Sequence, residues 1–146
     1  MTNKVYYTNQ DVESWCSSIV RDMYMDHWFP DYVVGLTRGG LVPANMISQY
    51  LNVPMHTLKV SLRDETNSPE SNLWMAEDAF AIRFNILIVD DINDTGATLN
   101  WLMKDWASNC PGDPRWENDI WNHNVRFAVI VDNLSSKCSV GMDYVG

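Results

Sequence analysis

Basic residues are scarce in this 146-residue chain: ten Lys and Arg stand against nineteen Asp and Glu, a formal net charge of -9. A field of that sign repels polyanions, so nucleic acid and anionic membrane surfaces are poor partners. Cysteines are also few, and the three present, Cys16, Cys110 and Cys138, are odd in number and lack metal-ligand spacing. No disulfide framework is needed, and idle thiols in a reducing cytoplasm are expected. No run approaches the roughly 18 consecutive apolar residues of a membrane span, and Met1 to Tyr7 hold no apolar core of signal-peptide length. A soluble, cytoplasmic protein is the expectation. His27, His56 and His123 fall in no metal-binding spacing and read as surface or packing residues. The seven tryptophans share no fixed period, so no repeat architecture is indicated and most read as packing residues.

What is present is enough for one domain over residues 1–146, a length able to bury about 70% of its unfolded surface. Thr8 can cap a helix whose apolar residues Val12, Trp15, Cys16, Ile19, Val20 and Met23 form one stripe at helical spacing. Tyr32 to Leu36 reads as a short buried strand running into Thr37-Arg38-Gly39-Gly40. A helix from about Leu41 to Leu51 follows, with Pro43 in its first turn, where a missing N–H is harmless. Met55 to Leu62 reads as a further strand, and Arg63 to Asp78, rich in acids, Asn, Ser and Pro, as a long mobile loop. A strand over about Asn85 to Asp90 leads to a helix with Leu99, Leu102, Met103 and Trp106 on one face. Val125 to Val131 is another strand, and Tyr144-Val145 starts a last one. This alternation predicts an α/β fold with a mainly parallel central sheet flanked by helices. Ligands of such sheets bind beyond the carboxyl ends of the strands, where both glycine-containing loops fall.

The most informative segment is Ile86-Leu87-Ile88-Val89-Asp90-Asp91-Ile92-Asn93-Asp94-Thr95-Gly96-Ala97-Thr98-Leu99. Two adjacent acids at the end of a core strand cost several kcal/mol, roughly, unless a ligand or metal compensates. Asp94 to Thr98 supply backbone N–H groups at a helix start, the hydroxyls of Thr95 and Thr98, and a close approach at Gly96, which suits a phosphate. Ionised Asp90 and Asp91 only accept hydrogen bonds, so they suit the hydroxyls of a diol or a hydrated Mg²⁺. Together these parts describe a phosphorylated sugar. Thr37-Arg38-Gly39-Gly40 repeats the logic, adding one guanidinium that can fork onto phosphate oxygens.

The stretches from Val33 to Ala44 and from Ile88 to Thr98 resemble the type I phosphoribosyltransferases, nearest the bacterial xanthine/guanine/hypoxanthine branch. The likeness covers roughly Val12 to Gly146 in element order. It implies binding of 5-phosphoribosyl 1-pyrophosphate with Mg²⁺, and displacement of pyrophosphate by a nitrogen of a nucleobase, a 6-oxopurine in that branch, for purine salvage. It further implies that Arg38 and Gly39 take the pyrophosphate and that Asp90 and Asp91 take the ribose hydroxyls, Asp91 also facing the metal. Asp94, Thr95, Gly96, Ala97 and Thr98 would wrap the 5-phosphate, with Asp94 near the base as proton acceptor, so that Asp94 and Arg38 carry the catalytic roles. Homodimers or homotetramers are suggested by the same analogy.

Three departures from the family are legible. Asp132 or Asn133 stands where the branch places a lysine to read the base, and Asn133 can still hydrogen-bond a base through its amide. The segment that closes over the base, the hood, is reduced or missing at Asp143-Tyr144-Val145-Gly146. Residues 64–78 carry five acids and no base. These leave a non-catalytic sugar-phosphate-binding or regulatory protein as the alternative. Trp116 and Trp121 are either a substitute stacking wall or simple packing.

Overall fold

The computed structural model describes residues 8–37, 39–60, 73–93, 96–108, 113–132, 138 and 141–146. In chain order the elements are α1 (Asn9–Asp26), β1 (Tyr32–Thr37), α2 (Leu41–Leu51), β2 (Met55–Lys59), α3 (Leu73–Glu77), β3 (Ile86–Asn93), α4 (Ala97–Ala107), β4 (Val125–Asp132) and β5 (Tyr144–Val145). Two single-turn π-helical segments, Asp78–Ile82 and Trp116–Ile120, lie between them. The strands form one five-stranded sheet in the order β2-β1-β3-β4-β5, and every pairing is parallel.

Local chemistry explains the helices. The Thr8 hydroxyl accepts the Asp11 N–H at 3.1 Å while the Asp11 carboxylate accepts the Thr8 N–H at 2.9 Å, a reciprocal capping box that starts α1. Its stripe of Val12, Cys16, Ile19, Val20 and Met23 is buried against Val33, Leu87, Val89, Ala128 and Ile130 of the sheet, together with Ala44 and Ile47 of α2. The opposite face of the sheet, with Val34, Leu36, Ile86, Ile88 and Phe127, packs on Leu99, Leu102, Met103 and Trp106 of α4. The central strands are therefore apolar on both faces, as parallel sheets require. Burial pushes the Cys16 thiol up to about 11, in keeping with an inert packing role.

The far end of the sheet, where β4 and β5 begin, is fastened by a polar clasp. Arg126 Nη1 donates to the Tyr144 hydroxyl at 3.0 Å and lies 3.5 Å from Asp26 Oδ2, and the Tyr144 hydroxyl donates to the same carboxylate at 3.1 Å. The Arg126 guanidinium also lies 4.9 Å from the Trp28 ring centroid.

Two expectations need correction. The long loop ends earlier than composition implies: Leu73–Glu77 is helical and the Asp78–Ile82 segment continues it. Met75, Ala76 and Ala79 are buried in the core, and the Tyr32 hydroxyl donates to Asp78 at 2.9 Å, so tertiary burial orders a segment with weak local signal. The central strand runs on to Asn93, because β4 remains long enough to pair with it through Ile92↔Val131 and Asn93↔Asp132. Of the two readings of Trp116 and Trp121, packing holds: they are core residues at 4% and 9% exposure, stacked with Phe80 and beside Trp106 respectively. Residues 61–72, which hold the rest of that loop and the end of the strand expected to reach Leu62, lie outside the described residues. No described helix is long and apolar enough to cross a membrane.

Candidate functional site

The polar residues of interest gather at the carboxyl end of β3. Four apolar residues, Ile86 to Val89, are buried, and then the strand presents Asp90 and Asp91, both half-buried. Successive side chains on a strand point to opposite faces, so Asp90 shares the α4 side with Ile88 while Asp91 shares the α2 side with Val89. Backbone groups aim both acids: the Asp91 N–H donates to Asp90 Oδ1 and the Ile92 N–H to Asp91 Oδ1, each at 2.8 Å. Neither carboxylate forms a salt bridge with a Lys or Arg among the described residues.

Glycine brings the neighbouring turn onto these acids. A Cβ placed on Gly39 would fall among the carboxylate atoms of Asp91, so the turn between β1 and α2 touches the acid only because that side chain is absent. One placed on Gly40 would sit 2.8 Å from the Leu36 N and would also meet the Val89 carbonyl. On the other side of β3, α4 begins at Gly96, whose φ of +84° belongs to the left-handed region that glycine tolerates. A glycine there offers no side chain to cap α4, and the positive end of the helix dipole faces this side of the sheet edge. The backbone N and Cα of Cys138 lie directly over Gly96, the Cα 2.6 Å from where a Cβ would stand. A small open cleft of about 90 Å³ is lined by Asp90, Ile92, Asn93, Gly96, Ala97, Thr98 and Leu99.

Burial, a hydrogen bond with the Asp91 side chain and that neighbour's charge push the Asp90 carboxyl up to about 7, against the opposing effect of the Asp91 N–H. The folded protein therefore holds this proton more tightly than the unfolded chain, and folding loses stability as pH rises from about 4 to about 7. Asp90→Asn removes the charge. Its gain in stability over the wild type is expected to be on the order of 3 kcal/mol at about pH 8 and near zero at about pH 4, read from urea midpoints at the two pH values. An equal effect at both would show that the carboxyl is ionised with an ordinary pKa.

Among the described residues no group of three or more His, Cys, Asp and Glu is placed to cage a metal. Two adjacent carboxylates that make no ion pair among the described residues are nonetheless a fitting donor set for Mg²⁺, which takes one or two carboxylates and completes its shell with water and phosphate oxygens.

Of the residues singled out in the sequence, the structure brings together Gly39, Asp90, Asp91, Gly96, Ala97 and Thr98 around the carboxyl ends of β1 and β3. Arg38, Asp94, Thr95 and Asn133 lie outside the described residues. Sequence reasoning missed Ile92 and Asn93, both of which line the cleft, and the tie by which the Asn93 amide donates to Asp132 Oδ1 at 2.9 Å. The available signal was the alternation of Ile92 with Asn93 and of Val131 with Asp132 at the ends of adjacent strands.

A model of the phosphoribosyl transferase domain matches residues 3–144. The chain belongs to that family. Hypoxanthine-guanine phosphoribosyltransferase of Schizosaccharomyces pombe is 26% identical to this phosphoribosyl transferase domain over 125 residues, covering 70% of the chain and 59% of the relative. Xanthine-guanine phosphoribosyltransferase of Idiomarina loihiensis is 36% identical over 75 residues, covering 49% of the chain and 46% of the relative. The chain thus spans less than two thirds of the length of the curated relatives it matches. The purine phosphoribosyltransferase structure from Pyrococcus horikoshii shares the fold, with a TM-score of 0.66 at 22% identity over 97% of this chain and 85% of that one.

Proposed function

We propose that the protein transfers the 5-phosphoribosyl group from 5-phosphoribosyl 1-pyrophosphate to a nucleobase, a 6-oxopurine, and releases pyrophosphate. The observation that carries this reading is the seating of Asp91 against Gly39, which joins the acids of β3 to the β1–α2 turn. The turn after β1, the two acids of β3 and the start of α4 lie together at the sheet edge, which supports a reading in which they take the pyrophosphate, the ribose and the 5-phosphate in turn. Relatives named for hypoxanthine, guanine and xanthine support the choice of base.

In this reading Gly39, with Arg38, holds the pyrophosphate, and Asp90 and Asp91 accept hydrogen bonds from the ribose hydroxyls. The α4 start at Gly96, Ala97 and Thr98, with Asp94 and Thr95, holds the 5-phosphate. Ile92 offers the base an apolar contact, and Asn133 completes the base site. Mg²⁺ held at Asp91 would supply charge neutralisation of the leaving pyrophosphate. The bond from the anomeric carbon to the pyrophosphate oxygen breaks as a purine ring nitrogen bonds to that carbon, and the nitrogen's proton passes to Asp94. Positive charge grows on the sugar along this path, so fixed carboxylates near the ring favour the transition state over the ground state. Purine salvage in the cytoplasm, where thiols such as Cys16 stay reduced, is the setting this chemistry calls for.

The decisive experiment incubates the protein with 5-phosphoribosyl 1-pyrophosphate, Mg²⁺ and a panel of bases. Pyrophosphate release with a 6-oxopurine is expected. Tight binding of the sugar phosphate without release for any base would replace this reading with that of a non-catalytic sugar-phosphate-binding protein. Absence of binding would remove both.

A further inference from the structure

The amino pole of the sheet, remote from the acids, carries an apolar surface that the transfer reaction does not use. Tyr24 near the end of α1, Phe29 in the connector after it, Trp74 of α3, and Ile82 and Phe84 ahead of β3 are each between 38% and 58% exposed. Contacts join them into one strip. The Tyr24 and Phe29 rings meet edge to face at 4.9 Å, and the Phe29 carbonyl accepts the side-chain amide of Asn85, the neighbour of Phe84, at 3.0 Å. Phe84 and Trp74 both flank the Tyr32 ring, at 6.4 and 6.0 Å between centroids. Scattered apolar residues on a surface are ordinary, whereas a contiguous strip marks an interaction site. Five side chains of roughly 200 Å² apiece, about half exposed, present roughly 500 Å² of apolar surface. With a polar rim, that approaches the roughly 800 Å² per partner of a stable interface.

The charges beside the strip identify its occupant. The Asp31 N–H donates to the Asn85 carbonyl at 2.7 Å and the Asn85 N–H donates to Asp31 Oδ2 at 2.8 Å, which sets Asp31 beside the Arg83-Phe84-Asn85 segment. Asp31 and Arg83 are both exposed, and neither forms an ion pair among the described residues. Arg83 Nη2 donates to the Asp119 carbonyl at 2.9 Å, which holds the guanidinium without neutralising it. A closed two-fold contact needs a surface on which each feature meets its own complement, residue i against j and j against i. This strip has that property: its Phe29 end carries the acid and its Phe84 end carries the base. The net charge of -9 does not oppose the pairing. Asp90 and Asp91 stand four and five residues along β3 from Ile86, roughly 15 Å away, beyond the roughly 8 Å over which charge is felt at physiological salt.

We propose that two copies of this chain join tail to tail through the amino-pole strip, with Tyr24 and Phe29 of one copy against Ile82 and Phe84 of the other and with Asp31 of each copy paired to Arg83 of its mate. The carboxyl pole of each copy then faces outward, so neither candidate site borrows a residue from the other.

Light scattering of the wild type over a concentration series, extending to about 300 μM, tests the association, and a dimer is expected. Asp31→Arg and Arg83→Asp each set like charges against one another twice, and each is expected to raise the dissociation constant at least about tenfold. Mixed in equal amounts, the two variants complement each other at both pairs, and a heterodimer of near wild-type affinity is expected. Tyr24→Glu, on the exposed side of α1, should also weaken the dimer about tenfold or more, whereas Tyr50→Glu, exposed on α2, should leave it unchanged. Thermal melting checks that each variant is folded, and if a charge variant is not, the comparison of Tyr24→Glu with Tyr50→Glu decides by itself. A wild type that stays monomeric throughout the series overturns the proposal. So does a dimer that Tyr24→Glu leaves intact or Tyr50→Glu dissociates, and so does a mixture of folded charge variants that forms no heterodimer.

Discussion

Replacing Asp90 and Asp91 together with Asn is expected to weaken binding of 5-phosphoribosyl 1-pyrophosphate by at least a hundredfold while the protein stays folded. Hydrogen bonds to a charged partner are worth about 1.5 to 3 kcal/mol each. Losing two of them spans roughly two to four powers of ten in affinity at about 1.4 kcal/mol per tenfold. The fold has little reason to suffer, because burial and the neighbouring acid already disfavour the ionised form of Asp90. Asn keeps the size of each side chain and its capacity to accept the N–H bonds from Asp91 and Ile92. Isothermal titration gives the affinity and thermal melting gives the control. Unchanged affinity in a folded variant would remove the acids from the site and, with them, the sugar-phosphate reading.

Gly39→Ala is expected to cost about 10- to 100-fold in the same affinity with a stability change below about 1 kcal/mol, whereas Gly40→Ala should destabilise by about 2 to 4 kcal/mol. The contrast follows from what each methyl meets. At Gly39 it meets the end of a half-buried side chain, the Asp91 carboxylate, which can rotate away and leave the turn without its acid. At Gly40 it meets backbone, the Leu36 N at 2.8 Å and the Leu36 O at 2.9 Å, which can yield only by displacing β1. Binding and melting measurements on the two variants separate the cases. If Gly39→Ala binds as the wild type does, the contact between turn and acid is incidental to the site.

The parts of this molecule that were legible in its sequence carry their signals locally. The capping box of Thr8 and Asp11, the stripe from Val12 to Met23 and the buried face of α4 each need only a dozen neighbouring residues to be recognised. The parallel sheet followed from apolar runs alternating with such helices. α3 and the π-helical turn after it escaped because five-residue helices carry no periodic signal and are ordered by what they touch, as Met75 and Ala79 are by the core. The extra length of β3 escaped for a similar reason: consecutive acids are poor strand formers, and only pairing with β4 keeps Asp90 through Asn93 extended. Within the site, the residue types that bind anions were visible from composition and spacing. The contact of Gly39 with Asp91 and the tie between Asn93 and Asp132 were not, since each joins residues more than thirty positions apart on different strands or turns.

The clasp of Asp26, Arg126 and Tyr144 closes the opposite pole of the sheet from the acids. It joins the last residue of the first helix to the beginnings of the final two strands, so it staples together stretches of chain that are over a hundred positions apart. The clasp and the candidate site thereby sit at separate ends of one molecule, and local opening at the acid end need not propagate. Such a division lets the acid end be rewritten, by drift or by design, while the scaffold that presents it keeps its shape.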